Sequence, residues 1–309
     1  MSTPEPTPPA ASDADESPVA ETAMTLEVES FELSGLETVA YEEEPSLLAR
    51  VGAETFGSFA FVLVTVGALL YTQLSGVGTL GVALAAGLVL AGLTHALGGF
   101  SGAHLNPAVS VAAAITGRTP TVDAVLYVAG QVLGAITAVA VLVLTVPAGL
   151  PEALGTDSAV GLMATTANGY DALSPLSTLS SGQFTFGLVA ALVVELLGTI
   201  VLVAVVLANR ARRSGAVAVG LTFAALLLLV APVTNGALNP ARATAVAIVS
   251  VGSDTTALAQ LWLFWLTGLV GGAVVGLALL AFGRRELTTE DQDLLTAEPV
   301  EDVQDVRLD

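Results

Sequence analysis

Two short stretches decide the fold: Gly102-Ala103-His104-Leu105-Asn106-Pro107-Ala108 and Gly236-Ala237-Leu238-Asn239-Pro240-Ala241. Each closes on Asn-Pro followed by an apolar run. Asn is a preferred N-cap, and Pro suits the first helical turn because its missing N–H has no intrahelical partner there. Both pairs therefore read as helix starts. The runs they open end near Thr116 and Ser250. At about 10–12 residues they are too short to cross ~30 Å of hydrocarbon, so they read as re-entrant half-helices. A single Asn-Pro would equally mark a turn. Two of them, each opening a short apolar segment in a very hydrophobic chain, form a pattern.

Long apolar runs flank the two stretches near residues 51–73, 79–98, 122–147, 187–208, 215–232 and 258–282, the fifth ending at Pro232. Each is close to the ~20 residues a helix needs to span a bilayer. A transmembrane barrel would instead alternate in polarity over segments of about 10 residues. The predicted class is an all-α membrane protein with six spans and two half-helices. The halves also answer one another. Glu54-Thr55-Phe56-Gly57 in the first span matches Glu195-Leu196-Leu197-Gly198 in the fourth, and Gly130 and Gly134 match Gly268 and Gly272. The second Asn-Pro stretch matches the first with one residue fewer. Three spans per half invert the second copy, which brings the half-helices in from opposite faces to meet near the midplane. The Gly-x-x-x-Gly spacings read as close helix packing within one subunit.

Composition agrees once the charges are located. The chain has 309 residues, 54% of them hydrophobic, a mean hydropathy of +0.80 and a net charge of −19. Residues 1–48 hold 12 acids and no base, and residues 286–309 hold 9 acids and Arg307. Both read as acidic, disordered cytoplasmic tails. Between them the apolar body, residues 49–285, carries 7 acids and 8 arginines and divides into repeats at about 49–147 and 187–285. Nucleic-acid binding needs clustered basic charge and is excluded. Cysteine chemistry is excluded by the absence of Cys. Arg50, Arg118, Arg210, Arg212, Arg213, Arg284 and Arg285 all fall on one side of a six-span topology, so both termini are predicted to be cytoplasmic. An excess of acid with no Lys is the composition of a salt-adapted protein.

Facing half-helices put two positive dipole ends at the centre of the bilayer. Asn106 and Asn239 would cap their helices with their oxygens and offer amide N–H groups to a passing hydroxyl or water. Cations meet an unfavourable field, and a proton-conducting water chain is interrupted. Arg242, three residues after Asn239, is a buried permanent charge and should face the lumen or a carbonyl-lined wall. Glu54 and Glu195 read as structural buried acids, because backbone at membrane depth needs acceptors for its N–H groups. A proton relay is the competing reading for them. His95 reads as a packing residue, His104 as a loop hydrogen-bonding residue, and Trp262 and Trp265 as interface or packing aromatics.

With these residues in view, the chain resembles the aquaporins, the major intrinsic proteins, across about residues 49–285. The resemblance rests on the motifs Asn106-Pro107-Ala108 and Asn239-Pro240-Ala241, on Arg242, and on Glu54 and Glu195. It implies a homotetramer in the cell membrane, one pore per subunit, with water and small neutral solutes as cargo and no cofactor or metal. Ala243 follows Arg242 where glycerol-conducting members carry Asp. The run from Gln260 to Trp265 and the loop Asn168-Gly169-Tyr170 are similar to prokaryotic water channels. The family's outer selectivity filter falls, by position, on Ala86, Leu227, Gly236 and Arg242. That set predicts a wider and more apolar opening than a strict water filter.

The leading expectation is a passive water channel that also passes small neutral solutes. The alternative is a channel mainly for a larger or less polar neutral solute such as glycerol, urea, ammonia or carbon dioxide. A structural membrane protein with a vestigial pore is a third reading. An enzyme is disfavoured, since no nucleophile–base pair or ligand cluster is visible.

Overall fold

The computed structural model describes residues 45–209 and 214–282. Residues 1–44 and 286–309 of the acidic tails, and Arg210, Arg212, Arg213, Arg284 and Arg285, lie outside the described residues, whereas residues 45–48, expected in the N-terminal tail, cap and begin α1. Six long helices are α1 (Leu47–Leu70), α2 (Gly78–Ser101), α4 (Thr121–Thr145), α5 (Leu188–Asn209), α6 (Gly215–Thr234) and α8 (Thr256–Phe282). Each is long and apolar enough to cross a membrane. Two short helices follow the Asn-Pro pairs: α3 (Pro107–Ile115) and α7 (Pro240–Val249). Among the described residues there is no strand.

The first span starts four residues earlier than the apolar run suggests, because Ser46 caps it by accepting a hydrogen bond from the Ala49 N–H. The fifth continues two residues past Pro232 and closes on Asn235, whose φ of 65° is left-handed. Proline one turn from a helix end still costs a backbone bond. The neighbouring loop satisfies two carbonyls left open at this helix end: the Ser174 hydroxyl donates to Pro232 O at 3.5 Å, and Asn168 donates to Thr234 O at 3.0 Å.

Helix ends identify two faces. Arg50 at the start of α1 pairs with Asp123 at the start of α4, and Arg118 beyond α3 donates to Leu207 O near the end of α5. The opposite face gathers the ends of α1 and α4 (Tyr71 with Thr145) and the end of α6 with the loop around Asn168. The two half-helices therefore run outward from the centre to opposite faces. Half-helix α3 packs on α8 of the other half and α7 packs on α4, while α2 packs on α6.

The sharpest sign of the inverted repeat lies at the α2–α6 crossing. A Cβ added at Gly87 would lie 2.5 Å from Gly220 O, and one added at Gly220 would overlap Gly87 O. Each glycine thus admits the other's backbone, and the repeat axis passes between them. Elsewhere the register differs by one residue from the sequence match. Gly134 lies against Thr55 and Phe59 of α1, and its counterpart against Thr199 and Ile200 of α5 is Gly271. Gly268 and Gly272 instead face Pro240 and Ala108 of the half-helices. Gly268, Gly271, Gly272 and Gly276 crowd one stretch of α8, so sequence alone could not choose between neighbouring registers.

Replacing Gly87 or Gly220 by Val should drive a methyl into the partner's carbonyl and cost about 1–3 kcal/mol as overpacking. Thermal unfolding in detergent measures this, and an unchanged melting temperature would mean that α2 and α6 do not cross this closely.

Candidate functional site

The stretches leading into α3 and α7 share one unusual backbone. Gly102, Ala103 and Leu105 have φ of 84°, 46° and 51°, and Asn235, Gly236 and Leu238 have 65°, 64° and 48°. The two loops match residue for residue, with no residue missing. Asn235 takes the place of Gly102 as the left-handed end of its helix, which Asn tolerates. Gly236 then corresponds to Ala103, not to Gly102.

Left-handed conformations at non-glycine residues cost on the order of 1–3 kcal/mol each and persist only where the surroundings over-determine them. The two buried glutamates supply that constraint. Glu54 Oε1 accepts from the Ser101 hydroxyl (2.6 Å) and His104 N–H (2.8 Å), and Oε2 from Leu105 N–H (2.7 Å) and the Gln131 amide (2.8 Å). Glu195 Oε1 accepts from the Thr234 hydroxyl (2.5 Å) and Ala237 N–H (3.0 Å), and Oε2 from Leu238 N–H (2.8 Å). One helical turn past each Glu, a glycine clears room for the same loop's leucine: Gly57 for Leu105 and Gly198 for Leu238. The Glu-x-x-Gly motif thus reads one leucine twice, by its N–H and by its side chain.

The loops deliver Asn106 and Asn239 to each other. Asn106 Oδ1 caps α3 through Ala108 N–H (2.9 Å), and Asn239 Oδ1 caps α7 through Ala241 N–H (2.9 Å) and Arg242 N–H (3.3 Å). Each side-chain amide donates across the centre: Asn106 Nδ2 to Leu238 O at 2.7 Å, and Asn239 Nδ2 to Leu105 O at 2.8 Å. An amide nitrogen carries two hydrogens. One clamps the opposite loop and the second remains for a molecule in the lumen.

A narrow cavity runs from the Asn pair toward the arginine-bearing face, lined by Phe61, Leu90, Phe223 and Val109 among others. Its volume for water centres is about 20 Å³, room for one or two molecules. Thr94, Val206 and Val219 connect it to a vestibule of about 460 Å³ on the same measure. His95 is exposed and lines that vestibule, so it is not the packing residue its apolar span suggests. His104 is buried, with Nδ1 3.0 Å from the Ser110 hydroxyl and its ring edge-on to Tyr127.

On the other side of the Asn pair, Arg242 is buried and donates through Nη1 to Asn168 Oδ1 and through Nη2 to Asn235 O. Asn168 is itself tied to Thr234 O. Its role was invisible in sequence, because it belongs to a loop 74 residues from the arginine. Ala86, Leu227 and Gly236 are buried as well. A Cβ on Gly236 would collide with Leu227 Cδ1, so Leu227 occupies the space a glycine leaves. The small residues of this quartet therefore do not translate directly into an open mouth. Of the two tryptophans, Trp265 donates to the Thr244 hydroxyl of α7, and Trp262 is exposed.

Comparison with known proteins gives a consistent set of relatives. Residues 42–279 match the family model described as Major intrinsic protein. The chain is 39% identical over 240 residues to Aquaporin Z of Brucella melitensis biotype 1, covering 74% of this chain and 95% of the relative. It is 34% identical over 241 residues to Aquaporin Z of Photorhabdus laumondii, with the same coverage. Aquaporin Z of Bradyrhizobium diazoefficiens is 36% identical over 237 residues, covering 74% and 91%. In fold, the chain is similar to the X-ray structure of the aquaglyceroporin from Plasmodium falciparum, with a TM-score of 0.59, 18% identity, and 76% and 96% of the two chains covered.

Removing either carboxylate should orphan two loop N–H groups at once. Glu195→Leu and Glu54→Leu are each expected to cost several kcal/mol, at about 1–3 kcal/mol per unpaired buried group. Thermal unfolding in detergent tests this. Full retention of stability would separate the glutamates from loop support.

Proposed function

The chain belongs to the major intrinsic protein family, and we propose that it is a passive, bidirectional channel for water that also passes small neutral solutes. The observation that carries this reading is the reciprocal Asn106–Asn239 arrangement at the inner end of a cavity with room for only one or two waters. A water reaching the centre meets one free N–H from each amide. Both donate to its oxygen, so its own hydrogens point outward along the file and it cannot relay a proton. The N-termini of α3 and α7 add positive potential against cations.

The inverted repeat supports the selectivity filter of Ala86, Leu227, Gly236 and Arg242. Through the pairings Gly87–Gly220 and Asn106–Asn239, these residues are the repeat images of Val219, Thr94, Ala103 and Val109. All four images line the narrow cavity, so the quartet belongs on the lumen in the opposite half. Arg242, held by Asn168 and Asn235, then contributes fixed donors and a fixed positive charge there. Glu54 and Glu195 act as loop supports, not proton carriers, since their oxygens are occupied by accepted hydrogen bonds.

The protein is a multi-pass membrane protein with six apolar spans. We place it in the plasma membrane with both termini cytoplasmic, because Arg50 and Arg118 share a face and five further arginines follow the same topology. It assembles as a homotetramer with one lumen per subunit. The exposed apolar outer faces, including Leu88, Leu133 and Leu197, suit lipid and neighbouring subunits. The reading as a channel mainly for a larger neutral solute draws on the small side chains of Ala86 and Gly236, and Leu227 lying over Gly236 counts against it.

Proteoliposomes carrying the protein should show osmotic water permeability well above empty vesicles in stopped-flow light scattering, with no proton conductance by an internal pH dye. Arg242→Val should retain water flow and admit protons or monovalent cations. Water permeability equal to that of empty vesicles would refute the assignment.

A further inference from the structure

The narrow cavity at the Asn pair is lined by two repeat-related couples. Phe61 and Leu202 each lie seven residues after the buried glutamate of their half, and Phe223 and Leu90 each lie three residues after the glycine of the α2–α6 crossing. All four line the narrow cavity. In each couple one member is Leu and the other Phe, so the wall carries two rings where the repeat elsewhere carries aliphatic chains.

The rings meet directly. Phe61 and Phe223 stand edge to face with centroids 5.3 Å apart and an interplanar angle of 77°, an attractive aromatic geometry. Both are 1% exposed although they bound the cavity, so little of either ring is free to withdraw. The same cavity is lined by the loop Ala103–Asn106, held by Glu54 through His104 N–H and Leu105 N–H. The cavity is therefore bounded both by an aromatic pair and by a fixed stretch of backbone. The surroundings sharpen the contrast: Thr94 marks the junction with the 460 Å³ vestibule, and apart from His104 and the two asparagines the other side chains lining the narrow cavity are apolar.

We propose that Phe61 and Phe223 are the specificity-determining residues that set the size limit for solutes, at the centre of the lumen opposite Asn106 and Asn239. This rests on the reading of the chain as a channel. Water keeps its hydrogen bonds in single file along the loop side while the rings exclude anything wider. A three-carbon polyol must present its carbon skeleton to the rings and all its hydroxyls to the loop at once. The quartet around Arg242 then governs charge, and the central rings govern width.

The test compares water, urea and glycerol permeability in the same proteoliposomes for the wild type, Phe223→Val, Phe61→Leu and Leu227→Ala. Glycerol permeability should rise about tenfold in Phe223→Val, a change of about 1.4 kcal/mol in barrier, with a smaller rise in Phe61→Leu. Both gains should exceed that of Leu227→Ala. A gain in solute flux cannot come from an unfolded variant, and water flow above that of empty vesicles reports folding in each case. If Phe223→Val does not fold, Phe61→Leu carries the comparison. Glycerol permeability unchanged by opening either ring, or raised more by Leu227→Ala, overturns the proposal while leaving the water channel intact. Wild-type protein that passes no water overturns the channel reading and this inference with it.

Discussion

Two carboxylates buried among apolar helices hold the structure in its working form. A non-helical loop at membrane depth leaves backbone N–H groups that neither water nor a helix can satisfy. Here the loops also hold left-handed leucines and an alanine, which on their own would relax. Glu54 and Glu195 answer both problems because each carboxylate binds two successive loop N–H groups at the strained residues. The cost of burying the acid is offset by the hydrogen bonds it accepts, which are stronger to a charged acceptor.

From that constraint the centre follows. Once Leu105 and Leu238 are pinned, their carbonyls point at the opposite half and become acceptors for Asn239 and Asn106. The half-helices are therefore clamped head to head through side chains that also cap them. The Gly87–Gly220 contact sets how closely the two halves approach and hence how wide the lumen can be. The central cavity is narrow because these contacts leave no slack, while the vestibule beyond Thr94 widens as soon as they end.

Much of this was legible in the sequence. The spans follow from hydropathy, and the half-helices from Asn-Pro with short apolar runs. What was not legible depends on three-dimensional register. Asn235 standing in for Gly102 looks like a deletion in sequence, because the shared property is a left-handed φ and not a residue type. Gly271 looks less like the partner of Gly134 than Gly272 does, because both fit a glycine-rich helix. Gln131 and Asn168 are far in sequence from the Glu and Arg they hold, and although the loop of Asn168 stands out in sequence, nothing local names its partner. Leu227 could not be seen to fill the space over Gly236, since counting side-chain sizes ignores how neighbours repack.

The repeat also explains why one fold yields a lumen with unlike halves. Backbone geometry is copied: the same left-handed residues, the same capping asparagines, the same glutamates. Side chains at copied positions then diverge. Val109 in the first turn of α3 corresponds to Arg242 in the first turn of α7, His104 to Ala237, and Thr94 to Leu227. Val109 lines the narrow apolar cavity, and its image is a guanidinium held by Asn168 and Asn235. A symmetric pore with arginine at both places would bury two like charges near one centre, and a pore with valine at both would carry no fixed charge there. Duplicated backbone with a single charged exchange keeps the clamp identical on both sides and confines the charge to one.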